Sequence, residues 1–172
     1  DFETLLDSKK INADEKIRLT TLSIGAIIPD KFMELAEKNE KCYAFYPHSI
    51  YQKYGVHLDG IKMDEWYDKL ANDDEIEKKE INPRELLTRI AQTQQESGYP
   101  YVVFIDSANE QHTLKDVGMI KMSNLCCEIF QYQTPSDIKG YGQVSDWGQD
   151  ISCNLGSLNI ANVMDNKDIE KT

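Results

Sequence analysis

Residues 81–106, INPRELLTRIAQTQQESGYPYVVFID, hold a helix and a strand whose boundaries are legible in side-chain chemistry. Asn82 is a good N-cap. Pro83 suits the first helical position, and Glu85 stands where a capping box needs it. Ile81 and Leu86 have the spacing of a hydrophobic staple, and Leu86, Leu87, Ile90 and Ala91 form the apolar stripe. Gly98 and Pro100 stop the helix. YPYVVFID, residues 99–106, is then a near-continuous apolar run, as in a strand of a parallel sheet buried on both faces.

The same alternation extends outward. DFETLLDSKK reads as the end of a helix. IRLTTLSIGAIIP, residues 17–29, reads as a buried strand, with Leu22, Ile24, Ala26 and Ile28 on one face and Ile27 on the other. Pro29 ends it, and Asp30 is placed to cap a helix reaching about Asn39. KCYAFYP, residues 41–47, is a short extended segment, followed by helices near 48–54 and 63–71, with Gly55 ending the first. DDEIEKKE, residues 73–80, reads as a solvated turn between helices. DISCNLGSLNIANVM suggests a strand and then a helix. Strands alternating with helices predict an α/β fold. Without a repeat or a Gly/Ser linker, residues 1–172 are expected to form a single segment with no internal domain boundary.

Composition bounds the function. The 172 residues suffice for one ordinary domain. A net charge of −11 argues against general nucleic-acid binding, and a phosphate-bearing substrate would need help from helix N-termini or another segment. No apolar run approaches the roughly 20 residues of a membrane span, and no signal peptide is visible. Asp1 rather than Met opens the chain, so an excerpt or a processed product is expected. The four cysteines, Cys42, Cys126, Cys127 and Cys153, lack C-x-x-C spacing. No metal site is expected, and a reducing cytoplasm is the default location.

SNLCCEIF, residues 123–130, carries the chemistry. If residues 124–128 are extended, Asn124, Cys126 and Glu128 share one side, while Leu125, Cys127 and Ile129 form an apolar anchor on the other. The bland reading is two small buried hydrophobes. A carboxylate beside them speaks for more, since it needs a reason to be buried. Adjacent cysteines are poor disulfide partners, so Cys153 is the better partner for a sulfur elsewhere.

SNLCCEI together with DISCNLGSLNIA resembles the catalytic large subunit of class I ribonucleotide reductase, nearest the class Ib type. DEKIRLTTLSIGAIIPD, QESGYPYVVFID and VMDNKDIEKT resemble segments of the same subunit in the same order, so the likeness covers essentially the whole chain. The resemblance implies part of a ten-stranded α/β barrel, built from two five-stranded halves, with this chain carrying the finger loop. It implies that Cys126 becomes a thiyl radical, that Glu128 is the base for the ribose 3′-hydroxyl, and that Asn124 orients the ribose hydroxyls. Cys153 is implied to be one of two redox-active cysteines, its partner lying upstream. Asn124, Leu125, Cys126, Cys127 and Glu128 are implied to line the substrate site, Cys127 through its backbone. Cys42, Trp66 and Trp147 are expected to pack, and His48, His57 and His112 to take surface or turn roles.

No cofactor is expected on this segment. A dimetal-tyrosyl small subunit is implied to supply the radical, and nucleotide effectors to bind outside the segment. Implied partners are a ribonucleoside diphosphate, a thioredoxin- or glutaredoxin-like reductant, the remaining parts of the large subunit and a second copy of the complete subunit. Neither nucleic acid nor membrane is expected. Alternatives are a split or truncated subunit that works only when assembled, and a non-catalytic interaction domain. A cysteine hydrolase would need a histidine paired with Cys126, and no local signature supplies one.

Overall fold

The computed structural model describes residues 2–165. The chain groups into two compact units, Asp1–Gln133 and Thr134–Thr172, and no linker-like tract marks the division. In the first unit, α1 (Phe2–Asp7), β1 (Gly25–Ile28), α2 (Asp30–Lys38), β2 (Cys42–Phe45), α3 (Pro47–Tyr54) and α4 (Met63–Ala71) are followed by β3 (Lys78–Ile81), α5 (Pro83–Ser97), β4 (Tyr101–Phe104) and α6 (Ile105–Gln111). β1 and β4 run parallel, pairing Gly25 with Tyr101 through Ile28 with Phe104. β2 and β3 pair antiparallel. In the second unit, β5 (Asp137–Gly140) and β6 (Gln143–Asp146) form an antiparallel hairpin, and α7 (Ile160–Asp165) follows. The described residues contain no closed barrel: β1 and β4 pair only with each other.

The predicted boundaries of α5 appear as drawn. Asn82 Oδ1 accepts the N–H groups of Arg84 and Glu85 at 3.0 and 3.1 Å, and Gly98 closes the helix with φ of 78°. Ile90 is buried against Leu6, Ala26 and Ile28, a burial contributing about 1.5–3 kcal/mol. Two details differ. Ala91 is exposed while Thr93 is buried, its hydroxyl bonded to the Arg89 carbonyl. Ile81 and Leu86 also join different clusters, Ile81 with Leu35, Cys42 and Tyr67, and Leu86 with Ile90.

The strand expected over residues 17–29 is confined to β1. Ala26 and Ile28 are buried, as predicted, but Ile17 and Leu22 are more than half exposed. The reason is Lys9. Its buried ammonium donates to the carbonyls of Leu19 and Leu22, and lies 4.5 Å from the Tyr99 ring centre. Carbonyls bonded to an ammonium are not offered to a neighbouring strand. Likewise Asp30 does not cap α2. It is the first helical residue, and its N–H donates to Asp106 Oδ2 at 2.8 Å.

Residues 73–80 are more than a solvated turn, because Lys78–Ile81 forms β3 and Ile76 is buried with Ile50 and Leu70. The strand expected near residue 151 is absent: residues 151–159 have no regular structure, and only the following helix forms. Of VMDNKDIEKT, residues 166–172 lie outside the described part. No helix among the described residues is long and apolar enough to cross a membrane.

Candidate active site

Between α6 and Thr134 the chain forms neither helix nor strand, and the SNLCCEIF stretch lies within this span. The extended backbone expected for residues 124–128 is not adopted. Cys127 N–H donates to the Asn124 carbonyl at 3.1 Å, closing a turn, and Cys127 takes a left-handed φ of 57°. Asn124 causes this by competing for the backbone: its Oδ1 accepts the N–H groups of Glu128 and Ile129, each at 3.1 Å. Ser123 Oγ adds a bond across the loop to the Ile129 carbonyl at 2.7 Å.

The division of faces therefore arises from the turn. Cys126 and Glu128 are exposed, whereas Cys127 and Ile129 are half-buried. Leu125 departs from the expected anchor, being 68 % exposed. The sulfur of Cys127 lies 3.7 Å from the point where a side chain on Gly25 would begin, so this thiol rests on the Gly25–Tyr101 rung of the parallel pair. Burial pushes the Cys127 thiol above its ordinary range, with the Glu128 and Cys126 charges adding to the effect. The Tyr101 phenol is also raised, chiefly by Tyr99 beside it and to a lesser degree by Cys126 and Cys127.

Cys153 belongs to the second unit and is exposed in an irregular segment. Cys42 is buried with Leu35 and Tyr67, as expected of a packing residue. Trp66 packs edge-on against Tyr54, but Trp147 is 82 % exposed and does not pack as expected. His48 and His57 are exposed, His57 stacking on Tyr51. His112 stands half-buried at the bend after α6, in keeping with a turn role, and both its ring nitrogens are buried with no partner among the described residues.

Two features have no sequence signal because they join distant residues. Carboxylate oxygens of Asp30, Asp64 and Asp106 lie within 4.8 Å of one another, and burial followed by Asp106 and Asp64 raises the Asp30 carboxyl. Oxygen donors at that separation could hold a hard cation, although Asp106 is already engaged at the start of α2. A cavity of about 1340 Å³ is lined by β1, β2, α4, α6 and residues 115–121, including His112. Asn124, Cys126 and Glu128 do not line it, so this cavity and the thiol chemistry are separate.

A family model described as "Ribonucleotide reductase, barrel domain" matches residues 1–172. The chain is 50% identical over 172 residues to the "Ribonucleoside-diphosphate reductase subunit alpha" of Bacillus subtilis (strain 168), covering 100% of this chain and 25% of that protein. It is 45% identical over 165 residues to the protein of the same name from Mycoplasma genitalium, covering 96% of this chain and 23% of the relative. Over 126 residues, 73% of this chain and 12% of the relative, it is 46% identical to "Ribonucleoside-diphosphate reductase NrdEB subunit alpha" of Bacillus subtilis. The chain thus spans about a quarter of the length of the first two of these curated relatives.

Proposed function

The chain belongs to the ribonucleotide reductase barrel-domain family, and on that premise we propose that it is the finger-loop-bearing piece of a class Ib ribonucleoside-diphosphate reductase large subunit. The observation that carries the reading is the turn braced by Asn124, which leaves one thiol of the pair and the Glu128 carboxylate exposed together.

In the proposed reaction, the Cys126 thiyl takes the hydrogen atom from C3′ of a ribonucleoside diphosphate. An S–H bond forms, the C3′–H bond breaks, and the unpaired electron moves to carbon. Glu128 accepts the 3′-hydroxyl proton, while Asn124, with Oδ1 occupied by its own turn, presents its Nδ2 to the ribose. Cys153 and a second cysteine outside this chain supply two electrons and two hydrogens. The 2′ oxygen leaves as water, C2′ gains hydrogen, and the two sulfurs become a disulfide. Cys126 then returns its hydrogen to C3′ and is again a radical, and Glu128 returns its proton to the 3′ oxygen. A thioredoxin- or glutaredoxin-like dithiol restores the reduced pair by exchange.

The radical is delivered by a dimetal-tyrosyl small subunit, nucleotide effectors act outside this segment, and the complete subunit pairs as a homodimer in the cytoplasm. Leu125 and Cys127 contribute to the substrate surface, Cys127 through its backbone. The test is turnover of the complete subunit carrying Cys126→Ser or Glu128→Gln, assembled with its small subunit and a dithiol. Both should lose deoxynucleotide formation while binding substrate. Parent-rate turnover of well-folded Cys126→Ser would exclude the reading.

A further inference from the structure

We infer that Asn109 is a positioning residue that clamps the cysteine-bearing loop onto α6, an inference that deepens the proposed reading of the same site. Asn109 stands one turn after Asp106 on that helix. Its Oδ1 accepts the Ile120 N–H at 2.7 Å, and its Nδ2 donates to the Ile120 carbonyl at 3.0 Å and to the Ile105 carbonyl at 3.0 Å. One side chain therefore satisfies both backbone groups of a single residue, as a neighbouring strand would. Ile120 is 1% exposed, so water is poorly placed to replace either bond. Ile120 lies four positions before Asn124, in a span with no helix or strand to fix it.

A second brace closes the loop from its other end. A Cβ on Gly118 would fall 2.1 Å from the Tyr132 ring, so the ring occupies the space this glycine leaves. Between the two braces runs the turn with both thiols. Cys127 settles over Gly25, and Cys126 stays exposed. Asp106 bonds α2 and Asn109 bonds the loop, so α6 couples the start of α2 to the cysteine turn.

The four cysteines make the clamp measurable without turnover, because thiol alkylation follows access and thiolate fraction. The experiment is timed iodoacetamide labelling of the full chain over a range of pH, with each site followed by peptide mass. In the parent, exposed Cys126 and Cys153 should label first, Cys127 more slowly and at higher pH, and buried Cys42 last. Asn109→Asp keeps the size of the side chain but loses both Nδ2 donations. It should bring the Cys127 rate to within about twofold of Cys126 and move its pH profile down, with Cys42 still protected. An unchanged Cys127 rate and profile with Cys42 protected would overturn the inference. If Asn109→Asp also exposes Cys42, Asn109→Ser decides without an added charge. Cys127 freed alone supports the clamp, whereas Cys127 unchanged, or freed together with Cys42, overturns it. The reaction assignment is tested separately, by turnover of the complete subunit carrying Cys126→Ser: if Asn109→Asp frees Cys127 but folded Cys126→Ser turns over at the parent rate, the clamp stands and the catalytic reading of the turn fails.

Discussion

Cys126 sits exposed on the turn that Asn124 holds, while its neighbour Cys127 is half-buried over Gly25 with its thiol raised by that burial. The proposed roles, Cys126 meeting the substrate and Cys127 holding the loop, call for such a difference. Within the complete enzyme, Cys126→Ser should abolish turnover, because a hydroxyl does not exchange hydrogen atoms with carbon as a thiol does. Cys127→Ser should retain appreciable activity. Steady-state deoxynucleotide formation by folded variants checks both, and equal loss from the two would contradict their division of labour. Alternation along an extended chain predicts this same division, although the chain is not extended here. The parity survives for residues 126–129 because the turn also sends Cys126 and Glu128 outward. It fails at Leu125, and the cause, a side-chain oxygen bonding two later N–H groups, has no periodic signature in sequence.

Among the elements, α5 was legible because capping is local: Asn82, Pro83 and Gly98 act within one turn of themselves. Asn82→Ala removes the acceptor for two N–H groups and should lower stability by about 1 kcal/mol, read from the urea midpoint at constant m-value. The missing strands fail for non-local reasons. Lys9 takes the carbonyls of Leu19 and Leu22 from a distant point in the chain, and no local pattern announces it. The 73–77 turn gives a pH-dependent test. Lys53 first, then Tyr54, hold the Asp73 carboxyl down to about 2 from its ordinary 3.8. A depressed folded value means the stabilisation is full above the unfolded value and is lost as pH falls through about 2. Asp73→Asn should therefore lower stability near neutrality, and the difference from the parent should vanish near the bottom of that window. Chemical denaturation across pH checks this, and a difference that persists unchanged at pH about 2 would contradict it.

For the whole molecule, the family was legible because two motifs in fixed order carry more information than either alone, and the family model matches all 172 residues. The apolar run of residues 99–106 reads as a strand of a parallel sheet, but its pairing with β1, the acidic trio around Asp30 and the large cavity all depend on chain crossings that no local pattern encodes. Since the chain spans about a quarter of its relatives' length, it should not sustain deoxynucleotide formation with only a radical-generating small subunit and a dithiol. A turnover assay of the purified chain checks that expectation. The most direct test of Cys126 as hydrogen-atom carrier is isotope loss from the substrate 3′ position in the complete, assembled enzyme. Cys126→Ser should abolish the loss, while Cys153→Ser should retain it yet fail to make normal product, because in the proposed reaction hydrogen abstraction precedes reduction at C2′. Continued 3′ isotope loss in folded Cys126→Ser, or its complete disappearance in folded Cys153→Ser, would contradict the assignment.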